Sequence, residues 1–301
     1  MTLRLTRRTV LPLGAALLPT PFLRAQARPV VVASFSILGD MVRQIAGDQV
    51  ALRVLAGPGV DAHVFQPRPS DAEAIRGAAL VVRNGFGFEP WLDRLLRSTG
   101  YRGPVATATQ GITPRIEAGS GRGQGAPDPH CWQDVRLAQS YARTIGEGLA
   151  EADPGRAAEW RKAAADYAAR LAGLDAWVRE RIATVPPERR LVITTHDAFA
   201  YFGAAYGVRF LAPQGIAPES QPSAARVAAL IRQIREAKAS AVFIEGIGNQ
   251  AVMERLAQDA GVNIRGRLFA DTLSPPDGPA PTYEAMMRHN IDAMVPAMRG
   301  E

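Results

Sequence analysis

"PGRAAEWRKAAADYAARLAGLDAWVRERIATVPP", Pro154 to Pro187, decides how the rest of the chain is read. The stretch is rich in Ala, Leu, Arg and Glu, which lose little freedom in a helix. Prolines stand near both of its ends. It predicts a helix of about 30 residues, roughly 45 Å long at 1.5 Å per residue. A helix that long suits a connector between two lobes, and the sequence on either side bears this out as a pattern. Before it, "RPVVVASFS", "VALRVLAG", "ALVVRNG" and "PVATAT" read as short β-branched strands. They are separated by helical periodicity in "ILGDMVRQIAG" and "EPWLDRLLRSTG". After it the alternation restarts. "RRLVITT", "VRFLAP", "SAVFIEG" and "IRGRLFA" are strands, and the segments between and after them are helices that end with "YEAMMRHNIDAMVPAM". Strands alternating with helices imply parallel sheets, so the expected class is α/β. The expected division is 28–153 for the first lobe, 154–186 for the linking helix and 187–301 for the second lobe.

Smaller signals mark the joints. In "PSDAEAI", Ser70 with Glu73 three residues on predicts a capped helix start at Ser70. A helix is expected from about Trp132 to Glu151, and Pro222 is placed near the start of another. "EAGSGRGQGAPDPH", Glu117 to His130, is glycine-rich and reads as a loop.

Residues 1–27 read as an export leader. Arg4, Arg7 and Arg8 precede an apolar run, Val10 to Leu18, and "AQA" at Ala25 to Ala27 matches a small-x-small cleavage site. The run is too short to span a membrane. Arg7-Arg8 resembles a twin-arginine signal, and the general secretory route stays open. The leader holds four arginines and no acids, so its removal lowers the formal charge from +6 to +2. A nearly balanced surface speaks against nucleic acid as partner. The single cysteine, Cys131, cannot form an internal disulfide and lies far from the leader. The expectation is an exported, periplasmic protein without a lipid anchor and with no membrane span in the mature chain.

Four residues carry candidate chemistry. His63 follows a strand in "AGPGVDAHVFQPRPSD", His130 closes the glycine-rich loop, His196 follows "LVITT", and Asp271 follows "RGRLFA". All four fall at βα junctions, where open parallel sheets bind ligands. Two come from each lobe, so a cleft between the lobes would gather them. Three imidazoles and a carboxylate suit tetrahedral zinc, and the carboxylate keeps manganese acceptable. Taken singly, each histidine is better explained by capping or surface hydrogen bonding. Asp61, Asp128, Asp197 and Glu245 are candidates to orient the rings, with helix capping as the alternative for Asp128 and Asp197. His289, inside the last helical segment, reads as a surface or packing residue. Cys131 reads as a small buried one rather than a soft ligand.

"DAHVFQPRPSD", "DPHCWQDV", "VITTHDAFAYFGAAYG", "ESQPSAARVAALI" and "FADTLS" follow one another as they do in the substrate-binding proteins of zinc and manganese ABC importers. The chain resembles this cluster A-I, TroA-like family (solute-binding protein family 9) from Val30 to Met298. The resemblance implies two Rossmann-like lobes joined by one long rigid helix. It implies His63, His130, His196 and Asp271 as ligands of a metal carried between the lobes, and no enzymatic activity. It also implies a monomer that delivers the metal to a cognate permease in the inner membrane, served by a separate ATPase subunit. Histidine rather than glutamate at the third position, His196, favours Zn²⁺ over Mn²⁺. The histidine- and acid-rich loop of many zinc relatives is missing from "AGSGRGQGAPD".

Within the chain itself there is no G-x-x-x-x-G-K-[ST] loop, and "GFGFEP" is too short a signal for a nucleotide. Two other classes compete. A zinc hydrolase would leave the fourth position to water and use Glu245 or Asp197 as base. An exported structural or adhesive protein would need no metal. An imidazole shell predicts affinity that falls below about pH 6.

Overall fold

Residues 28–116, 125–216, 224–237, 239, 241–246 and 250–301 are described by the structure, a computed structural model. The leader (1–27), residues 117–124 of the glycine-rich stretch and Pro222 lie outside the described residues. The first half runs β1 (Val30–Phe35), α1 (Ser36–Ala46), β2 (Ala51–Ala56), α2 (Pro69–Arg76), β3 (Leu80–Arg83), α3 (Pro90–Thr99) and β4 (Val105–Thr107). Its strands form one parallel sheet in the order β2-β1-β3-β4. β1 is buried along nearly its whole length, as a strand covered on both faces must be. A 3₁₀ turn, Cys131–Gln133, leads into α4 (Val135–Ala152), and α5 (Ala157–Ala183) follows.

The second half repeats the plan with β5 (Leu191–Ile193), α6 (Ala200–Tyr206), β6 (Arg209–Leu211), α7 (Ala224–Glu236), β7 (Ala241–Glu245), α8 (Gln250–Ala260), β8 (Ile264–Leu268) and α9 (Tyr283–Arg299). Its sheet is parallel in the order β6-β5-β7-β8, the same permutation as the first. The expected α/β class with two parallel-sheet lobes is therefore the observed one. Among the described residues no helix is long and apolar enough to cross a membrane.

Three helix starts differ from the sequence reading. α2 begins at Pro69, not after a Ser70 cap. Arg68 is the residue before the helix, and its N–H donates to Asp71 Oδ2 at 2.8 Å. Proline has no N–H to lose at the first helical position and its φ already suits a helix, so it moves the start forward. α4 begins at Val135 because Asp134 caps it, accepting from the Arg136 N–H at 2.9 Å. The long helix spans 27 residues, shorter than its proline-to-proline envelope, because Pro154–Arg156 forms a separate 3₁₀ turn.

α5 buries Trp160, Ala164, Tyr167, Ala168, Leu171, Leu174, Val178 and Ile182, a stripe with three- and four-residue spacing. α4 comes so close that a Cβ on Gly146 would lie 2.4 Å from the Ala164 Cβ. The largest apolar cluster includes Phe35, Trp132 and Tyr141 from the first half, Tyr167 and Leu171 from α5, and Phe202, Phe243, Tyr283 and Met294 from the second. One core thus runs through both halves. Two smaller clusters sit on the outer faces, one under α7 and α8, the other under α2 and α3.

Candidate metal centre

Every candidate ligand lies beyond the carboxyl end of a strand. His63 follows β2, His130 lies between β4 and α4, His196 follows β5, and Asp271 follows β8. The structure brings all four together. One ligand atom from each lies within 4.8 Å of those of the others. The Nε2 of His196 faces Asp271 Oδ2 at 2.9 Å, and those of His63 and His130 face Asp271 at 3.5 Å. His130 and His196 are 0% and 1% exposed, Asp271 4%, and His63 9%. All three Nε2 atoms and Asp271 Oδ1 are buried without an aligned hydrogen-bond partner among the described residues. Buried polar atoms cost free energy unless something pairs them. Four such atoms converging on one point fit a cation with nitrogen and oxygen ligands.

The far sides of two of the rings are held too. His130 Nδ1 lies 2.7 Å from Asp128 Oδ1, which also accepts the His130 N–H at 3.0 Å. His196 Nδ1 lies against Glu245 Oε2, while Glu245 Oε1 accepts the N–H groups of Thr195 at 2.7 Å and His196 at 3.1 Å. A carboxylate on Nδ1 leaves Nε2 as the metal-facing nitrogen and makes it a better donor. Asp128 and Glu245 therefore touch the rings as the sequence suggested. Asp61 departs from that reading, because its Oδ1 accepts the His63 backbone N–H at 2.8 Å rather than a ring hydrogen. Asp197 lines a separate cleft with Phe210 and Ala212.

Electrostatics bind the group together. Burial opposes charge on His196, but the carboxylates of Glu245 and Asp271 outweigh it and raise the imidazole well above its ordinary value. Burial likewise opposes charge on Asp271, and His196 and His130 outweigh it, holding that carboxyl well below the usual range. Without a cation the two share a buried ion pair.

A further layer was not read from the sequence. The carbonyl just before each of three ligands accepts from a buried side chain. Ala62 takes Trp91 Nε1 at 2.7 Å, Pro129 takes Asn84 Nδ2 at 2.9 Å, and Ala270 takes Trp132 Nε1 at 2.9 Å and Gln133 Nε2 at 3.0 Å. Fixing that peptide plane fixes the direction in which the ligand leaves the backbone. Ser36 and the Gly59 N–H, from the first half, bond Thr272, next to Asp271. Phe88 packs its ring edge to face with His63, centroids 4.5 Å apart. Tryptophan and glutamine donors near a loop leave no periodic signal, so pattern reading misses them.

His289 stands apart from the group, half-buried, with Nε2 3.0 Å from the Arg267 carbonyl oxygen. Cys131 is buried, and burial pushes its thiol up to about 12. Asp271 fills the corner that a hydrolytic zinc would leave to water. Glu245 is committed to two backbone N–H groups and a ring, which does not suit a general base.

Comparison with known proteins agrees with this geometry. Residues 31–297 match the family described as "ZnuA: Zinc-uptake complex component A periplasmic". The zinc-binding protein TroA of Treponema pallidum is 33% identical over 281 residues, covering 91% of this chain and 90% of that protein. The manganese-binding lipoprotein MntA of Halalkalibacterium halodurans is 31% identical, covering 88% and 87%. The iron-binding protein YfeA of Yersinia pestis is 32% identical, covering 88% and 84%. Among solved structures, that of TroA superposes with a TM-score of 0.83 at 31% identity, over 90% of this chain and 99% of that one.

Proposed function

This chain belongs to the ZnuA family of metal-binding, periplasmic substrate-binding components of ABC metal uptake, which are not enzymes, and from the donor set of its site we propose that it carries Zn²⁺. The cargo is held by His63, His130, His196 and Asp271. The observation that carries this reading is the convergence of three unpartnered imidazole nitrogens and one carboxylate oxygen in a buried space. Three nitrogens to one oxygen suits zinc better than the harder manganese, and zinc also stands above manganese in the order of divalent affinities. The relatives are named for zinc, manganese and iron, so the donor set of this chain, rather than kinship, is the ground for zinc.

Residues 28–153 and 187–301 act as the two metal-binding lobes. The chain works as a monomer exported by residues 1–27. It hands the ion to a membrane permease served by a separate ATPase. Elemental analysis of protein purified without added metal, with competition between zinc and manganese, tests the cargo. One zinc per chain that manganese cannot displace is expected. Tighter manganese binding overturns the zinc assignment, and undiminished binding by H130A overturns the ligand set.

A further inference from the structure

The loop Asn84–Trp91, "NGFGFEPW", supplies no candidate ligand, yet it reaches both histidines of the first half. Asn84 holds the carbonyl before His130, Trp91 holds the carbonyl before His63, and Phe88 packs on the His63 ring. The loop turns through a run of positive φ that glycine takes freely and phenylalanine does not. Gly85, Phe86 and Gly87 have φ of 99°, 51° and 76°, and Phe86 is the one described non-glycine residue with positive φ. Such strain persists only where surrounding contacts impose it.

Those contacts converge on Glu89, which is wholly buried. Its Oε1 accepts from Ser34 Oγ and the Asn84 N–H, both at 2.6 Å, and its Oε2 accepts the Gly85 N–H at 3.2 Å. Asn84, also wholly buried, accepts the Tyr141 hydroxyl at 2.6 Å, and its carbonyl takes Thr109 Oγ1 at 2.8 Å. A carboxylate with three inward donors and no donor of its own is a fastener for the loop. None of these three bonds involves a candidate ligand.

We propose that Glu89 is a positioning residue for the metal centre, setting His63 and His130 together through the single loop it closes. The inference rests on the four-residue metal site, and its test separates the two. In E89Q the amide has the same shape, but its NH₂ must face the N–H of either Asn84 or Gly85. One end of the loop then loses its acceptor.

The experiment compares wild type, E89Q and L256A, the last a cavity in the outer core under α8, far from the loop. Three quantities are read on the mature chain: the melting temperature without metal, zinc affinity by chelator competition, and the visible absorption of the Co²⁺ form, which reports ligand geometry. E89Q is expected to weaken zinc about tenfold and to shift the cobalt bands, whereas L256A lowers the melting temperature and leaves both unchanged. If E89Q loses melting temperature but keeps wild-type zinc affinity and cobalt bands, the inference is overturned while the metal site stands. If wild type binds neither ion, the site reading itself falls. Should E89Q not fold, S34A, which removes only the hydroxyl that donates to Glu89 Oε1, is judged by the same two readouts.

Discussion

Zinc binding should expel a proton at neutral pH, and the source of that proton is His196. Its Nδ1 hydrogen belongs to Glu245, and its Nε2 faces Asp271 Oδ2 at 2.9 Å. Glu245 and Asp271 keep the metal-free ring charged above the ordinary imidazole range. A cation cannot take Nε2 until that nitrogen gives up its hydrogen. Each proton released adds one unit to the slope of log affinity against pH. Affinity should therefore fall about tenfold per pH unit as pH drops through neutrality towards the ordinary imidazole value of about 6.5. That decline starts higher than the limit near pH 6 that unperturbed imidazoles suggest. Calorimetry in two non-chelating buffers of different ionisation enthalpy reads the release directly. The apparent enthalpies should differ by one buffer ionisation enthalpy per zinc at pH 7.5. Equal enthalpies, with affinity flat across that range, would refute the reasoning.

The same ion pair shapes the stability of the metal-free chain. The raised His196 contributes fully below the unfolded imidazole value of about 6.5 and is lost as pH rises through the folded value. The depressed Asp271 contributes above the unfolded carboxyl value of about 4 and is lost as pH falls through its folded value. Denaturant titrations of the apo chain should thus weaken as pH climbs past neutrality, and zinc should abolish that decline. Zinc at about a thousand times its dissociation constant adds about 4 kcal/mol, a rise of roughly 10 °C in melting temperature for a chain this size. E245Q places an amide NH₂ against either a backbone N–H or the His196 ring, and competition assays should show zinc binding about 10–100-fold weaker. G146A forces α4 off α5 at the 2.4 Å approach to Ala164, and should cost about 1–3 kcal/mol in denaturant titrations while zinc affinity holds.

The β-branched runs and the alanine-rich linker announce their elements because burial on both sheet faces and helix propensity act residue by residue. The candidate ligand positions were legible for a related reason: few histidines, three of them at strand-to-helix junctions. Asp128 and Glu245 could be guessed because carboxylates commonly orient imidazoles. Asp61 shows the limit of that guess, since backbone geometry gave it the His63 N–H instead of the ring. The support beneath escaped notice. Trp91 and Asn84 bond carbonyls 29 and 45 residues away in sequence, and only the folded chain makes them neighbours. The glycines of "GFGF" were the visible trace, and they spoke of backbone shape rather than of a nucleotide.

The unbroken apolar cluster that joins the halves through α5 limits how the cargo can leave. Prising the two sheets apart far enough to wet about 400 Å² of it would cost about 10 kcal/mol, comparable to the whole stability of a typical domain. A wide gape is closed to this architecture. The ion's exit is confined to swings of loops and side chains that keep the interior dry, so any partner that draws it out must act on the rim and not on the hinge.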